Sequence, residues 1–346
     1  MKKILVLGYF GHENNQLDGQ TIKTRSIYEL LRTKIKDFFE VVDFFDTQSL
    51  KTSKLNILKL IRSFAAADII IYIPAQNNLL FLFPIIFVFA KIMGIKLHYV
   101  VVGGWLVEFL KGKSLHLFFL KRISAIYPQS TALATNLKKE YGLENIVLLP
   151  NFRNHNYKPV IAELDEKVKL VFLARVHPLK GVDVIFKLAK VLEERRITTV
   201  SIHLYGQINA GYKENFLMEE SRYSCLNYMG IVQPSDIYKT LNSYDLMLFP
   251  TQFFTEGFPG SILDAYTAGI PVIASKWKHA SEFIENNVSG LITEFGNDDD
   301  FIQTTISLIE NPDRIYRMKF NAFEESLKYS SEKAWEILKN TITKAS

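Results

Sequence analysis

The chain has a single cysteine, Cys225, in 346 residues. An intramolecular disulfide and a cysteine-based metal cluster are therefore excluded. A reducing compartment fits, and a cytoplasmic location is expected. Long apolar runs are missing too. The longest, Leu79 to Ala90, is broken by Pro84 and ended by Lys91, whereas a membrane span needs about twenty residues. This run is expected to be a buried helix. The apolar start stops at Leu7, too short for a secretory signal, and reads as a first buried strand. The glycine fingerprint G-x-G-x-x-G is absent, which disfavours an NAD-dependent oxidoreductase. No zinc finger, RNP-type motif or arginine-clustered helix occurs, so no nucleic-acid partner is expected. Internal repeats and low-complexity tracts are absent as well.

What is present is ordinary in bulk. Hydrophobic residues at 48% and charged residues at 22% argue for a soluble globular chain. The length suits two domains. Short apolar runs alternate with helical patterns. Strands are expected at Ile4–Leu7, Val41–Phe44, Ile69–Ile73, Lys96–Val102, Ala125–Tyr127 and Ile146–Leu149. The same rhythm restarts at Val168–Leu173, Val200–Tyr205, Leu226–Met229, Leu246–Phe249, Val272–Ala274 and Gly290–Ile292. Helical patterns such as Thr21–Arg32, Lys54–Phe64 and Leu79–Met93 lie between them. Apolar strands joined by helices imply parallel sheets covered on both faces. The polar, proline-bounded stretch Pro150–Pro159 reads as a linker. The expectation is an α/β chain of two doubly wound Rossmann-like domains, 1–157 and 166–330, facing a cleft. A further amphipathic helix, Glu332–Lys344, carries Trp335 and Leu338 on one face.

Charge is uneven along the chain. Residues 1–160 hold 21 Lys/Arg against 11 Asp/Glu, and residues 161–346 hold 20 against 25. Two readings are open: two differently solvated surfaces, or a basic face that meets anionic lipid or a phosphate-bearing substrate. Lys111-Gly112-Lys113 and Lys121-Arg122 flank the apolar segment Ser114–Leu120. That pattern suits an interfacial helix; a partly buried helix with solvated ends fits it equally.

The loops after the strands should carry the chemistry. After the first strand, Gly8 to Thr21 includes Gly11 and Gly19 and runs straight into a helix. Backbone amides there suit an anion, although a plain capping turn explains the glycines as well. After Val168–Leu173, Arg175 and Lys180 place two cations in one loop. Arginine grips phosphate as a fork and lysine as a point charge. The richest stretch is Phe249 to Ser275. Gly257, Phe258, Pro259, Gly260 and Ser261 open a helix there. Glu256 and Asp264 are eight residues apart, just over two helical turns, so both acids could address one ligand. Carboxylates accept hydrogen bonds from sugar hydroxyls. The alternative is that both merely cap and decorate the helix.

These segments together resemble the retaining glycosyltransferases of family 4, which have the GT-B fold. The shared pattern is a glycine-rich start, R-x4-K-G at Arg175…Lys180-Gly181, E-x7-E at Glu256…Asp264, and G-x-P-V-I-A at Gly269–Ala274. Tyr228-Met229-Gly230, Asp245–Pro250 and Pro150-Asn151 also sit where that family has like residues. The resemblance covers nearly the whole chain. It implies an enzyme that moves a sugar from a nucleotide-sugar donor, UDP-linked more than GDP-linked, to a glycan or polyprenyl-diphosphate-linked acceptor in surface polysaccharide biosynthesis. By the same resemblance, Arg175 and Lys180 neutralise the departing diphosphate and Glu256 holds the donor sugar. Asp264 holds the ribose, Gly257 to Ser261 meet sugar and phosphates, and Gly19 closes over the phosphates. The first domain is the acceptor side and the second the donor side, with the C-terminal helix, about 331–346, packed back on the first. Configuration is retained, and neither a metal nor a further cofactor is required.

Two departures stand out. The second acid is Asp264 where the family usually has Glu. A histidine common in the loop after the fourth or fifth strand is missing: that region reads Gly103-Gly104-Trp105, where the glycines leave room for substrate and Trp105 could stack on a sugar. His98 lies within the strand and reads as a core residue. Asn297–Asp300 contains Asp-x-Asp, but it precedes a helix, where such residues are ordinary caps. His12, His116, His177 and His279 lack metal-ligand spacing, while His177 stands close enough to Arg175 to touch a phosphate. The rival readings are a nucleotide-sugar epimerase of the same fold and a non-catalytic donor-binding partner. Peripheral contact with the inner membrane face is expected if the basic first domain meets lipid.

Overall fold

Mostly apolar runs, such as Ile69–Ile73 and Leu246–Phe249, form the central strands of two parallel sheets, as strands buried on both faces should. The computed structural model describes residues 2–12, 19–53, 55–153, 156–163 and 165–343. The chain divides into two units, Met1–Phe152 with Ser331–Ser346, and Arg153–Ser330.

The first unit begins β1 (Lys2–Gly8), α1 (Gly19–Arg32), β2 (Phe39–Asp46), α2 (Ser49–Thr52), α3 (Asn56–Ala66) and β3 (Ile69–Ile73). It continues with α4 (Gln76–Phe81), α5 (Phe83–Ile92), β4 (Lys96–Val100), α6 (Leu106–Leu110), α7 (Ser114–Leu120), β5 (Ala125–Tyr127) and α8 (Thr131–Tyr141). Its sheet order is β2-β1-β3-β4-β5, parallel throughout. All five residues of β3 are fully buried, whereas edge strand β2 buries only Phe39, Val42 and Phe45.

The second unit runs β6 (Val168–Leu173), α9 (Val182–Glu194), β7 (Val200–Tyr205), α10 (Lys213–Glu220), β8 (Leu226–Tyr228), α11 (Ile237–Leu241) and β9 (Leu246–Phe249). Then follow α12 (Gly260–Thr267), β10 (Val272–Ser275), β11 (Gly290–Thr293), α13 (Asp298–Ile309) and α14 (Pro312–Ser326). The parallel order is β11-β10-β9-β6-β7-β8. The last helix, α15 (Ser331–Ile342), belongs to the first unit. Its Trp335 and Leu338 join Ile27 and Leu31 of α1 on one face of that sheet, while α3 to α8 cover the other. The unit boundary at 152/153 falls inside the proline-bounded stretch, of which Asn154 and His155 lie outside the described residues.

Three expectations need correction. Ile146–Leu149 is not a strand. It runs beside the three-residue β5 with one parallel bridge, Ile146 to Ile126, made by the Ile126 amide on the Asn145 carbonyl (2.8 Å) and the Val147 amide on the Ile126 carbonyl (2.9 Å). The single helix Leu79–Met93 is two helices that meet at Leu82. Pro84 has no N–H to give the Leu80 carbonyl, and His116 Nε2 donates to that oxygen instead (3.1 Å). Nor is the run buried. Phe81, Ile85, Val88 and Phe89 are exposed, because only Leu79, Phe83, Ile86, Phe87 and Ala90 face the sheet.

Candidate active site

In the second unit the strand order reverses between β6 and β9. Sheets of this kind bind ligands beyond the carboxyl ends of the strands at that point. Two loops leave those ends. The first, 174–181, is pinned by fully buried Val176, which bridges Ile208. Arg175 beside it is exposed and has no ion-pair partner among the described residues. His177 is occupied locally: its Nδ1 accepts the Leu179 amide (3.1 Å) and caps the turn Pro178–Lys180. The turn ends on Gly181 at φ 80°, where a Cβ would stand 1.7 Å from the Pro250 carbonyl oxygen. Only glycine permits that approach. The Gln252 amide donates to the Leu179 carbonyl (3.0 Å) and completes the seam between the loops.

Lys180 crosses this seam and pairs with the Glu256 carboxylate. Thr251, fully buried, donates its hydroxyl to Glu256 Oε1 (3.2 Å) and accepts the Phe253 amide (3.1 Å). Gly257 and Phe258 are buried, with Phe258 stacked on Phe283 at 4.0 Å between ring centroids. Pro259 opens α12 without a side-chain cap. The first-turn amides, those of Gly260 and Ser261 among them, have no partner within a helix, and such an end favours an anion.

Asp264 is nearly buried, and its partner is a residue the sequence did not single out. Arg153 donates from Nε to Oδ1 (2.6 Å) and from Nη2 to Oδ2 (3.1 Å), and Nη2 also reaches the Gly260 carbonyl (3.2 Å). The expectation that helical spacing relates Glu256 to Asp264 fails. Glu256 lies in the loop, four residues before α12 begins. Each acid instead has its own cation. Arg153 was missed because it sits in the linker, 111 residues from Asp264, and nothing in that stretch, which also holds Lys158, marks it.

The remaining candidates lie in the first unit. Gly103 has φ 82°, and a Cβ there would meet Trp105 Cδ1 at 2.9 Å. Gly104 is buried, and half-buried Trp105 packs edge-on against Phe109 at 5.5 Å. Gly19 is exposed at the start of α1 with open space about it, so nothing in the described structure demands glycine there. Residues 13–18 of that loop lie outside the described residues. His98 is fully buried, with Nδ1 bonded to the Tyr127 hydroxyl (2.9 Å). Asn297 caps α13 by accepting the Asp300 amide (3.0 Å), and Asp298 pairs with Lys187 (2.6 Å). Among the described residues no group of three His, Cys, Asp or Glu is placed to hold a metal.

Residues 153–325, half of the chain and nearly all of the second unit, match the family model described as glycosyl transferases group 1. The chain belongs to this family. Among relatives of this group 1 glycosyl transferase is the poly(ribitol-phosphate) alpha-N-acetylglucosaminyltransferase of Staphylococcus aureus. It is 23% identical over 217 residues, 62% of this chain and 43% of that protein. The N,N'-diacetylbacillosaminyl-diphospho-undecaprenol alpha-1,3-N-acetylgalactosaminyltransferase of Campylobacter jejuni is 27% identical over 169 residues, 48% of this chain and 42% of that protein. The matched stretch thus spans less than half the length of either relative. The crystal structure of Anabaena Alr3699/HepE with UDP and glucose superposes with a TM-score of 0.76 at 17% identity, covering 99% of both chains. That likeness makes the fold GT-B.

Proposed function

We propose that this chain is a retaining glycosyltransferase that uses a nucleoside-diphosphate sugar, UDP-linked, and a glycan or polyprenyl-diphosphate-linked acceptor in surface polysaccharide biosynthesis. The observation that carries the reading is the cluster at the ends of β6 and β9: exposed Arg175, Lys180 held by Glu256, and the uncapped start of α12. In the transfer, the bond from the anomeric carbon to the diphosphate oxygen breaks and its electron pair leaves with the oxygen. The acceptor oxygen bonds the sugar and passes its proton to the departing diphosphate. A diphosphate needs charge stabilisation more than protonation, and cations fixed in advance supply it without reorganisation. Retention and independence of metal follow the family 4 resemblance. The names of the Campylobacter and Anabaena proteins support a lipid-diphosphate acceptor and a UDP donor. Titration calorimetry with UDP and GDP, on wild type and Lys180→Ala, tests the donor site. Saturable UDP binding weakened by the substitution supports it; a folded protein that binds neither nucleotide overturns it. The anomeric configuration of the product, read by NMR, decides retention.

The acceptor reading includes peripheral docking on an anionic bilayer through the first unit. The outer face of α5 exposes Ile85, Val88, Phe89 and Ile92, at helical spacing i, i+3, i+4, i+7, with Phe81 of α4 71% exposed beside them. The neighbouring helices on the same side of the sheet, α3 and α7, add Ile61 and Phe118. Residues 55–122 hold eight Lys/Arg against two Asp/Glu. An apolar stripe with basic surroundings complements anionic headgroups. Flotation with phosphatidylcholine vesicles, with and without phosphatidylglycerol, tests it at low salt. The triple variant Ile85→Ser/Phe89→Ser/Ile92→Ser should lower partition to the anionic vesicles by about tenfold or more. Absence of wild-type binding, or binding unchanged in a folded variant, overturns the docking.

A further inference from the structure

We infer that Arg153 is a positioning residue for the nucleoside subsite, orienting the Asp264 carboxylate toward a vicinal diol. The inference rests on the donor reading above and adds to it a residue from outside the matched motifs. A carboxylate offers about four lone-pair positions. Arg153 takes one on each oxygen in a forked arrangement, which fixes the carboxylate plane and leaves two acceptor positions, as many as a diol has donors. Asp264 is 6% exposed, and a carboxylate so buried needs a counter-charge. The guanidinium is held by Asp264, the Gly260 carbonyl and a side-chain hydrogen bond with Tyr238 of α11, and the Arg153 backbone amide is anchored on the Tyr329 carbonyl (2.9 Å). It lies so close over α12 that a Cβ on Gly260 would stand 2.8 Å from Nη2. The glycine at that helix start therefore makes room for Arg153. Aspartate is one methylene shorter than glutamate and hangs close to its helix, and the clamp meets it there.

The test is ribose selectivity. Affinities for UDP and 2′,3′-dideoxy-UDP are measured by calorimetry for wild type, Arg153→Lys and Arg153→Met. Wild type should prefer UDP by about a hundredfold or more, the value of two hydrogen bonds to a charged group. Arg153→Met should bring the preference close to unity and leave dideoxy-UDP affinity nearly unchanged. Arg153→Lys, which keeps the charge and loses the fork, should fall between them and serves as the folded variant if the methionine form is unstable. Equal loss of both affinities is the mark of a merely structural residue and overturns the proposal. So does a variant that keeps the full preference, or a wild type that binds UDP with none. Wild type that binds neither ligand overturns the donor site itself.

Discussion

At the ends of β6 and β9 the second unit joins side chain to side chain: Lys180 to Glu256, Arg153 to Asp264. At the corresponding reversal in the first unit, the ends of β1 and β3, two of the described side chains, Gln20 and Arg25, bind backbone instead. Gln20 donates to the Ile73 carbonyl (3.4 Å), and Arg25 to the carbonyls of Phe10 (2.7 Å) and Gly11 (3.1 Å). Charges paired with each other are held in place and still present lone pairs or protons to a ligand. Charges directed at carbonyls stiffen a loop and offer less. The first unit also hides ionisable groups, as with Lys23, whose pKa burial pulls down to about 7. Its distinctive surface is apolar, on the outer helices. This contrast supports the proposal that recognition of an anionic donor belongs to the second unit.

Activity gives the sharpest way to break that contrast. Lys180→Ala should lower kcat/KM by about a hundred- to a thousandfold, the usual loss for one group that stabilises a developing anion. Trp105→Ala, in the first unit, should cost about tenfold at most, as loss of a stacking surface would. Steady-state kinetics on both variants suffices. Equal losses would mean that the first unit shares the chemistry.

Stability sharpens it next. Gly181 has φ 80° and a neighbouring carbonyl in the place of any Cβ, so Gly181→Ala should cost about 3 kcal/mol or more. Gly19 has nothing within 4 Å of its would-be Cβ. Gly19→Ala, at a helix start, should be neutral or gain a few tenths of a kcal/mol. Urea titrations compare the two. A costly Gly19→Ala would show that its loop needs glycine for a reason the described residues do not contain.

These pairs also mark what was legible in the sequence. Strands buried on both faces are mostly apolar, β3, β5 and β9 without a break and β6 and β7 interrupted only by Lys169, Ser201 and His203, so these five could be read to the residue. R-x4-K-G was legible because its residues belong to one loop, and their spacing is the geometry. Arg153 was not, since its partner comes from 111 residues away and no local pattern encodes such a pairing. The exposed stripe of α5 was misread for a related reason. Its sequence is apolar all round, and periodicity cannot tell a helix buried on both sides from one with an uncovered face. Where Pro84 would break the helix was visible; that His116 would take over the Leu80 carbonyl was not.

The smallest effect separates the units by pH. His98 is fully buried. Desolvation first, then the positive charges of Lys96 and Lys2, lowers its pKa to about 4. Unfolded, it titrates near 6.5. Between those values the unfolded chain binds more protons than the native one, so stability rises with pH across the window and is lost as pH falls from 6.5 toward 4. The full loss is at most about 3 kcal/mol. Half-buried His203 of the second unit shifts in the same direction through weaker desolvation and Lys167, and should contribute less. Hydrogen exchange of the β4 and β7 amides at pH 4.5 and 6.5 would resolve the two units. Protection in β4 should fall more steeply with acid than in β7. His98→Phe should flatten the β4 response, since Tyr127 keeps Thr341 as a partner (2.6 Å). An unchanged β4 slope in that variant would place the acid sensitivity of the first unit in some other group.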